Sequence, residues 1–255
     1  MRRERRPELV RQLRAAGCVF AEEEAALLEA AASDPVQLER LVARRTAGEP
    51  LELVLGWVDF DGIRLGTAAG VFVPRARTQH LVEVAAALAP TGGVVADVCC
   101  GIGAVAAALG RRRPDLRLIA CDVDPAATCA ARHNLPGIDV VTGDLLEALP
   151  VTERGRLDMV VANTPYVPTD ELHTMPREAR EHEPALALDG GSDGLDVQRR
   201  LAVQARTWMA PGAALLTEIA ADQWPAARDL FQAAGWVVRW RPSEHWGSAV
   251  VVATA

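Results

Sequence analysis

From about Gly92 to the end, short apolar runs alternate with stretches of helical character, and this alternation constrains the fold more than any other feature of the chain. The runs are VVADVC, LRLIACD, IDVVTGD, LDMVVANTPY, AALLTEI, GWVVRWRP and SAVVVATA, with AVAAALGRR and AATCAARHN between the early ones. Strands separated by a helix cannot return as hairpins; they align in parallel and need cover on both faces. The pattern therefore predicts an α/β fold: a doubly wound, mostly parallel seven-stranded sheet with its ligand site at the carboxyl ends of the strands. The last two runs have no helix between them and predict an antiparallel terminal hairpin at one edge.

The remaining chain is smaller and less regular. Residues 1–50 read as three short helices, PELVRQLRAAG, AEEEAALLEAAAS and DPVQLERLVARRTAG, with Asp34 and Pro35 as an N-cap and first-turn pair. Their apolar positions are too sparse for a large core. The following LELVLGWVDFDGIRLG carries strand-like runs around Asp61-Gly62, a hairpin turn signal. The expected division is a small helical region over 1–50, a β-hairpin connector over 51–78, and the main α/β domain over 79–255. A chain of 255 residues suffices for one large domain with such an appendage. No apolar run approaches the roughly 20 residues that span a bilayer, and the arginine-rich start MRRERR leads into no signal-peptide core. The expectation is a soluble, cytoplasmic protein.

Charge and residue usage exclude several chemistries. All 27 basic residues are arginine, so lysine Schiff bases, lysine general bases and the P-loop lysine are ruled out. The net charge of −7 argues against nucleic acid held by bulk electrostatics. Residues 1–50 hold nine arginines and nine acids and are neutral, which leaves the surplus of acid on the remainder and allows a local arginine patch near the start. Cys18, Cys99, Cys100, Cys121 and Cys129 form no CxxC pair, and the five histidines have no metal-ligand spacing, so no metal is expected. The histidines read as surface or helix-end residues and the tryptophans as packing, with Trp246 alone placed to touch a substrate.

Three strand ends carry the chemistry. DVCCGIG, from Asp97 to Gly103, turns the first strand of the repeat into a helix; Gly101 and Gly103 allow close backbone approach, and the helix start offers free N–H groups. A tight turn that needs glycine explains the same residues. The second strand ends in CDVDP, where Asp122 is placed to accept ribose hydroxyls and Asp124 reads as a helix N-cap. The third ends in TGDLLEAL, where Asp144 and Leu145 fall at a nucleobase edge, or Asp144 is a solvated loop acid. The fourth breaks into Asn163-Thr164-Pro165-Tyr166, which holds the only tyrosine of the chain.

With RRTAGEPLELVLG, FVPRARTQHLVE, EPALALDGGSDGLD and LLTEIAADQ, these segments make the chain after residue 44 resemble the HemK/PrmC family of protein-(glutamine-N5) methyltransferases. That resemblance implies a Rossmann-like class I fold with S-adenosyl-L-methionine (SAM) as cofactor. It implies SAM contacts from Asp97, Cys99, Cys100, Gly101, Ile102, Gly103, Asp122, Asp144, Leu145 and Asn163. It implies an acceptor amide held by Asn163, Thr164, Pro165 and Tyr166, and a substrate wall from Arg75, Arg77 and Glu183. The implied partner is a protein with an exposed glutamine, first among them the Gly-Gly-Gln loop of a peptide-chain release factor, docked through residues 1–50 and the arginines of residues 2–6.

An amide nitrogen is a poor nucleophile because its lone pair is delocalised, so positioning must supply the catalysis. The Asn163 side-chain oxygen and the Thr164 carbonyl could each accept one amide N–H, with Tyr166 stacked on the amide plane. An Asx-turn asparagine and a packed loop tyrosine are the plainer readings. Gly190 to Gly194 reads as a flexible wall rather than a phosphate loop. Departures from the family pattern are Thr164 in place of the first proline of NPPY, Cys99 in place of glycine, Gln79 in place of an acid, and a shorter helical start. Two other readings stand beside the first: methylation of an amide or amine in a small molecule or natural-product peptide, or of an adenine amino group; and a SAM-binding partner protein without turnover.

Overall fold

In the computed structural model, residues 2–255 are described, with side chains from Arg6 onward. The arginine patch expected at the start therefore lies mostly outside the described residues, and Arg6 itself is paired with Glu29 at 2.6 Å. Three helices, α1 (Arg2–Ala15), α2 (Ala21–Ala31) and α3 (Pro35–Thr46), form the amino-terminal region. Asp34 caps α3 by accepting the Gln37 N–H at 2.8 Å, with Pro35 in the first turn. Leu9, Leu13, Ala25, Leu28 and Val42 bury themselves in a small separate core. Arg45 is buried beside it, bonded to Glu24 at 2.6 Å and, far along the chain, to Glu178 in the short helix Arg177–His182 at 2.6 Å.

The segment LELVL is a helix, α4 (Leu51–Leu55), where strand was expected. A five-residue apolar run has no period that separates strand from helix. Here Pro50 precedes the first turn, Gly56 closes the last in the left-handed conformation, and Leu53 and Val54 face two different cores. The hairpin is present: β1 (Trp57–Phe60) pairs with β2 (Ile63–Gly66), and Asp61 and Gly62 both have positive φ, as a two-residue I′ turn requires.

After α5 (Gln79–Leu88) the β-α alternation unfolds as expected. The elements are β3 (Val94–Val98), α6 (Ala104–Arg112), β4 (Arg117–Asp122), α7 (Pro125–Asn134), β5 (Asp139–Thr142) and β6 (Leu157–Ala162). Then come α8 (Arg177–His182), α9 (Asp196–Trp208), β7 (Met209–Ile219), α10 (Trp224–Ala233), β8 (Val237–Ser243) and β9 (Ser248–Thr254). The sheet runs β5-β4-β3-β6-β7-β9-β8, parallel up to β7 and antiparallel for β9 and β8. The two terminal strands do form a hairpin, but β9 threads between β7 and β8, so the penultimate strand lies at the edge. SAVVVAT is apolar on both faces and buried almost throughout; VVRWRPS is largely exposed, as an edge strand should be.

Both faces of the sheet are covered. Val98, Val160, Ala162, Leu215 and Val251 pack on the α9 and α10 side, whereas Val95, Met159, Val161, Leu216 and Val250 pack under α5 and α6. Strand order reverses between β3 and β6, so the chain leaves the sheet centre in opposite directions on either side of that pair. This opens a crevice at their carboxyl ends. Val98 is opposite Ala162 in register, and the next residues, Cys99 and Asn163, flank the crevice. Among the described residues, no helix is long and apolar enough to cross a membrane.

Candidate active site

The crevice holds a cavity of about 400 Å³. One wall is the turn after β3. Cys99 and Gly101 line it, and both have left-handed backbone, at φ 57° and 55°. Glycine adopts that conformation freely, whereas cysteine bears a cost of roughly 1–3 kcal/mol. Cys99 therefore carries strain at the position where the resemblance expects glycine. Gly103 serves packing: a Cβ there would stand 2.6 Å from Leu135 Cδ1. Cys100, Ile102 and Gly103 lie behind the wall and do not line the cavity.

Asp122 joins this turn to the one after β4. Its Oδ2 accepts the Gly101 N–H at 2.8 Å and its Oδ1 the Asp124 N–H at 2.9 Å, leaving lone pairs towards the cavity. Burial raises its pKa, opposed by those two bonds. Asp124 is the N-cap of α7, holding Ala126 N–H at 2.8 Å, as the sequence indicated. Val123 and Ala127 give this side an apolar floor. Leu145, buried at φ 49°, closes the far end, and Asp144 lines it while paired with Arg200. Asp97, near the end of β3, is buried and outside the cavity; its Oδ2 takes the Ala106 N–H at 2.9 Å and its Oδ1 has no partner. Burial pushes its pKa up to about 7.

The opposite wall is the turn after β6, and Asn163, Thr164, Pro165 and Tyr166 all line the cavity. Asn163 Nδ2 donates to Thr78 Oγ1 at 3.2 Å, while Asn163 Oδ1 is buried without a partner. The Thr164 hydroxyl is likewise buried and unpartnered. Tyr166 is pinned from two sides: Arg77 donates to its hydroxyl, and Gln223 Nε2 donates to its carbonyl at 2.8 Å. Arg77 Nε also reaches Glu218 Oε1 at 3.2 Å. Burial raises the Tyr166 pKa, with the nearby Glu218 acting in the same direction and Arg77 against it.

Arg75 lines the cavity and is held by Glu183 at 2.6 Å; Glu183 is itself buried behind it and does not reach the cavity. Several lining residues were not singled out by the sequence reading, although Phe72, Leu186 and Leu188 lay in its quoted segments: Phe72, Val167, Met175, Leu186, Leu188, Val197 and Arg200. Most belong to the long excursion between β6 and α9, where short 3₁₀ turns give no period to read. Thr78 and Glu218 lay in the quoted segments FVPRARTQHLVE and LLTEIAADQ, but neither showed a chemical reason until their side chains met.

Three other expectations change. His80 does stand at a helix end, the start of α5, but is buried there rather than on the surface, with Nε2 2.8 Å from the Arg241 carbonyl oxygen. Trp246 donates to Glu83 at 3.2 Å and lies away from the cavity lining. The Gly190–Gly194 stretch is a packed turn one layer behind the cavity, with Gly194 against the Tyr166 carbonyl so closely that no Cβ would fit. Among the described residues no three metal-ligating side chains cluster.

Residues 95–182 match the family described as a methyltransferase domain. Among curated proteins, the release factor glutamine methyltransferase of Geobacter sulfurreducens is 35% identical over 199 residues, which cover 76% of this chain and 69% of that protein. The 4-amino-L-phenylalanine/4-methylamino-L-phenylalanine methyltransferase of Streptomyces pristinaespiralis is 36% identical over 215 residues, 81% of this chain and 72% of that protein. Among solved structures, a methyltransferase from Pyrococcus furiosus superposes with a TM-score of 0.58 at 14% identity, over 76% of this chain and 88% of that one.

Proposed function

The chain belongs to the HemK/PrmC family of release factor glutamine methyltransferases, and from that membership and the cavity's geometry we propose that it methylates the side-chain amide of a glutamine, using SAM. The acceptor is a glutamine on an exposed loop of a protein, the Gly-Gly-Gln loop of a peptide-chain release factor. The residues present fit the cofactor. Asp122 and the Gly101 turn would hold the ribose and the amino-acid portion, with Val123, Ala127 and Leu145 against the adenine. SAM would supply an electrophilic methyl group there, so the protein needs no metal or nucleophile of its own.

The observation that carries the reading is the orphaned Asn163 Oδ1. A buried carbonyl without a donor is rare and costs about 1–3 kcal/mol. It stands on the cavity wall across the crevice from the glycine turn, where an incoming amide N–H would satisfy it. With one N–H on that oxygen and the other on the Thr164 carbonyl, the nitrogen's face turns towards the cofactor side. Because Oδ1 is shielded from water in this conformation, acceptor entry includes a local displacement of its neighbours. Pro165 stiffens the turn, and Tyr166, pinned by Arg77 and Gln223, walls the path. Arg75 would meet the acceptor's backbone, with Glu183 fixing the guanidinium. Residues 1–50 would dock the body of the substrate protein, joined through the Arg45–Glu178 pair to α8, in the excursion that also carries Met175 and Leu186 of the cavity lining.

A second reading is N-methylation of a small aromatic amine. It is favoured by the apolar wall of Phe72, Met175 and Leu186 and by the Streptomyces pristinaespiralis relative. One experiment separates the two. The purified chain is incubated with SAM and a release factor, or with 4-amino-L-phenylalanine, and the products are read by mass spectrometry. One added methyl on the glutamine of the Gly-Gly-Gln peptide supports the first reading. Methylation of the aromatic amine alone replaces it with the second. SAM binding without transfer to either removes both acceptors.

A further inference from the structure

Glu218 is the most deeply buried acid near the crevice, at 1% exposure, and nothing in the methyl-transfer scheme above uses it. It follows Thr217 on β7, which is opposite Ala162 on β6, so Glu218 and Asn163 occupy the next positions of adjacent parallel strands. Its Oε1 is held by Arg77 Nε at 3.2 Å; its Oε2 is buried and has no hydrogen-bond partner. Burial raises the Glu218 pKa, opposed by the Thr78 hydroxyl and by Arg77. Thr78 in turn accepts from Asn163 Nδ2 at 3.2 Å.

A threonine hydroxyl has one proton to give and lone pairs to receive. Oγ1 of Thr78 already receives from Asn163, so its proton must point elsewhere, and Glu218, one register step across from Asn163 and bonded to the neighbouring Arg77, offers an acceptor oxygen with no partner. We propose that Glu218 is a positioning residue for methyl transfer: by taking the Thr78 proton, its carboxylate makes Thr78 an obligate acceptor for Asn163 Nδ2. That fixes which end of the Asn163 carboxamide faces the cavity. The same carboxylate orients Arg77, which pins Tyr166 on the other side of the acceptor. An asparagine amide can otherwise turn over, presenting N–H groups to the substrate N–H it is meant to receive. The carboxylate, which can only accept, removes that alternative. This inference rests on the acceptor role of Asn163 proposed above, but its first test needs no substrate.

The chain contains two asparagines, Asn134 and Asn163, so labelling asparagine with nitrogen-15 yields two side-chain NH₂ pairs. Asn134 is fully bonded, donating to Gly66 and Ile102 carbonyls and accepting from Gly66 N–H, and is an internal reference. The Asn163 pair is the one lost in Asn163→Ala. Glu218→Gln places an N–H donor against Thr78, which frees the Thr78 proton for Asn163 and favours the turned amide. The expected result is a shifted, faster-exchanging Asn163 pair in Glu218→Gln and Thr78→Val, an unmoved Asn134 pair, and recovery in Thr78→Ser. An Asn163 pair unchanged in Glu218→Gln overturns the relay, whatever the substrate proves to be. On the acceptor that the wild type methylates, each of Glu218→Gln and Thr78→Val should lower kcat by about 10- to 100-fold with SAM affinity within about twofold. The double variant should be no slower than the slower single, because both break one chain of bonds. Losses that multiply in the double variant refute the coupling.

Discussion

Asp97 offers a prediction in which the sign and size both come from burial. Its carboxyl group is 2% exposed, holds one backbone N–H, and has a second oxygen with no partner, so the charged form is penalised in the folded state. The pKa rises from the ordinary 3.8 to about 7, chiefly through burial, with the nearby Asp122 acting in the same direction. Below about pH 4 the group is protonated in both the folded and unfolded chain, and stability is unaffected. Between about pH 4 and pH 7 the unfolded chain gives up the proton and the folded one keeps it, so the folded state binds more protons and stability falls as pH rises. At 1.36 kcal/mol per unit, a shift of roughly three units amounts to about 4 kcal/mol, of which about 2–3 kcal/mol lies between pH 5 and pH 8. Asp97→Asn removes the titration and keeps an oxygen for the Ala106 N–H. Urea denaturation of both proteins at pH 5 and pH 8, in the absence of SAM, isolates the effect because groups that do not interact with Asp97 cancel in the difference. The variant should gain on the wild type by about 2–3 kcal/mol on going from pH 5 to pH 8. A difference that stays constant across that range would mean that Asp97 ionises like a solvated carboxylate, and the argument from burial would fail.

The other predictions concern the two walls of the cavity and the amino-terminal helices. Asp122→Ala should weaken SAM binding by about 1.5–3 kcal/mol by calorimetry, the scale of bonds to a charged group, since it removes the ribose acceptor and frees the Gly101 and Asp124 N–H groups. Unchanged affinity would remove Asp122 from the site. Asn163→Ala should slow single-turnover methyl transfer by about a hundredfold while leaving SAM affinity nearly unchanged, because the side chain positions the acceptor; equal loss of both would place its role in the cofactor pocket instead. Arg45→Ala leaves Glu24 buried beside an apolar core with its partner gone, and thermal denaturation should report a loss of about 3–5 kcal/mol, against little change for Arg199→Ala on the surface.

The segments whose structure follows from their own residues were legible in advance. Alternating runs marked β3 to β9 and the helices after β3 and β4 because burial imposes a period on each element by itself. Asp34-Pro35 and Asp124-Pro125 marked helix starts, and Asp61-Gly62 marked a hairpin, because caps and tight turns are settled within four residues. The glycine turn, Asp122 and the Asn163 turn were placed at strand ends for the same reason, and a parallel sheet brings such ends together. Tertiary structure decided what the local pattern leaves degenerate. LELVL became helix because its apolar side chains satisfy two cores at once. The last strand entered the middle of the sheet because both its faces are apolar, which no hairpin rule specifies. The network of Thr78, Arg77, Asn163, Tyr166 and Glu218 gathers residues up to 141 positions apart. Each is an ordinary polar residue in its own segment; only the low polarity of the buried junction between β6 and β7 makes their few available protons decide the orientation of the site.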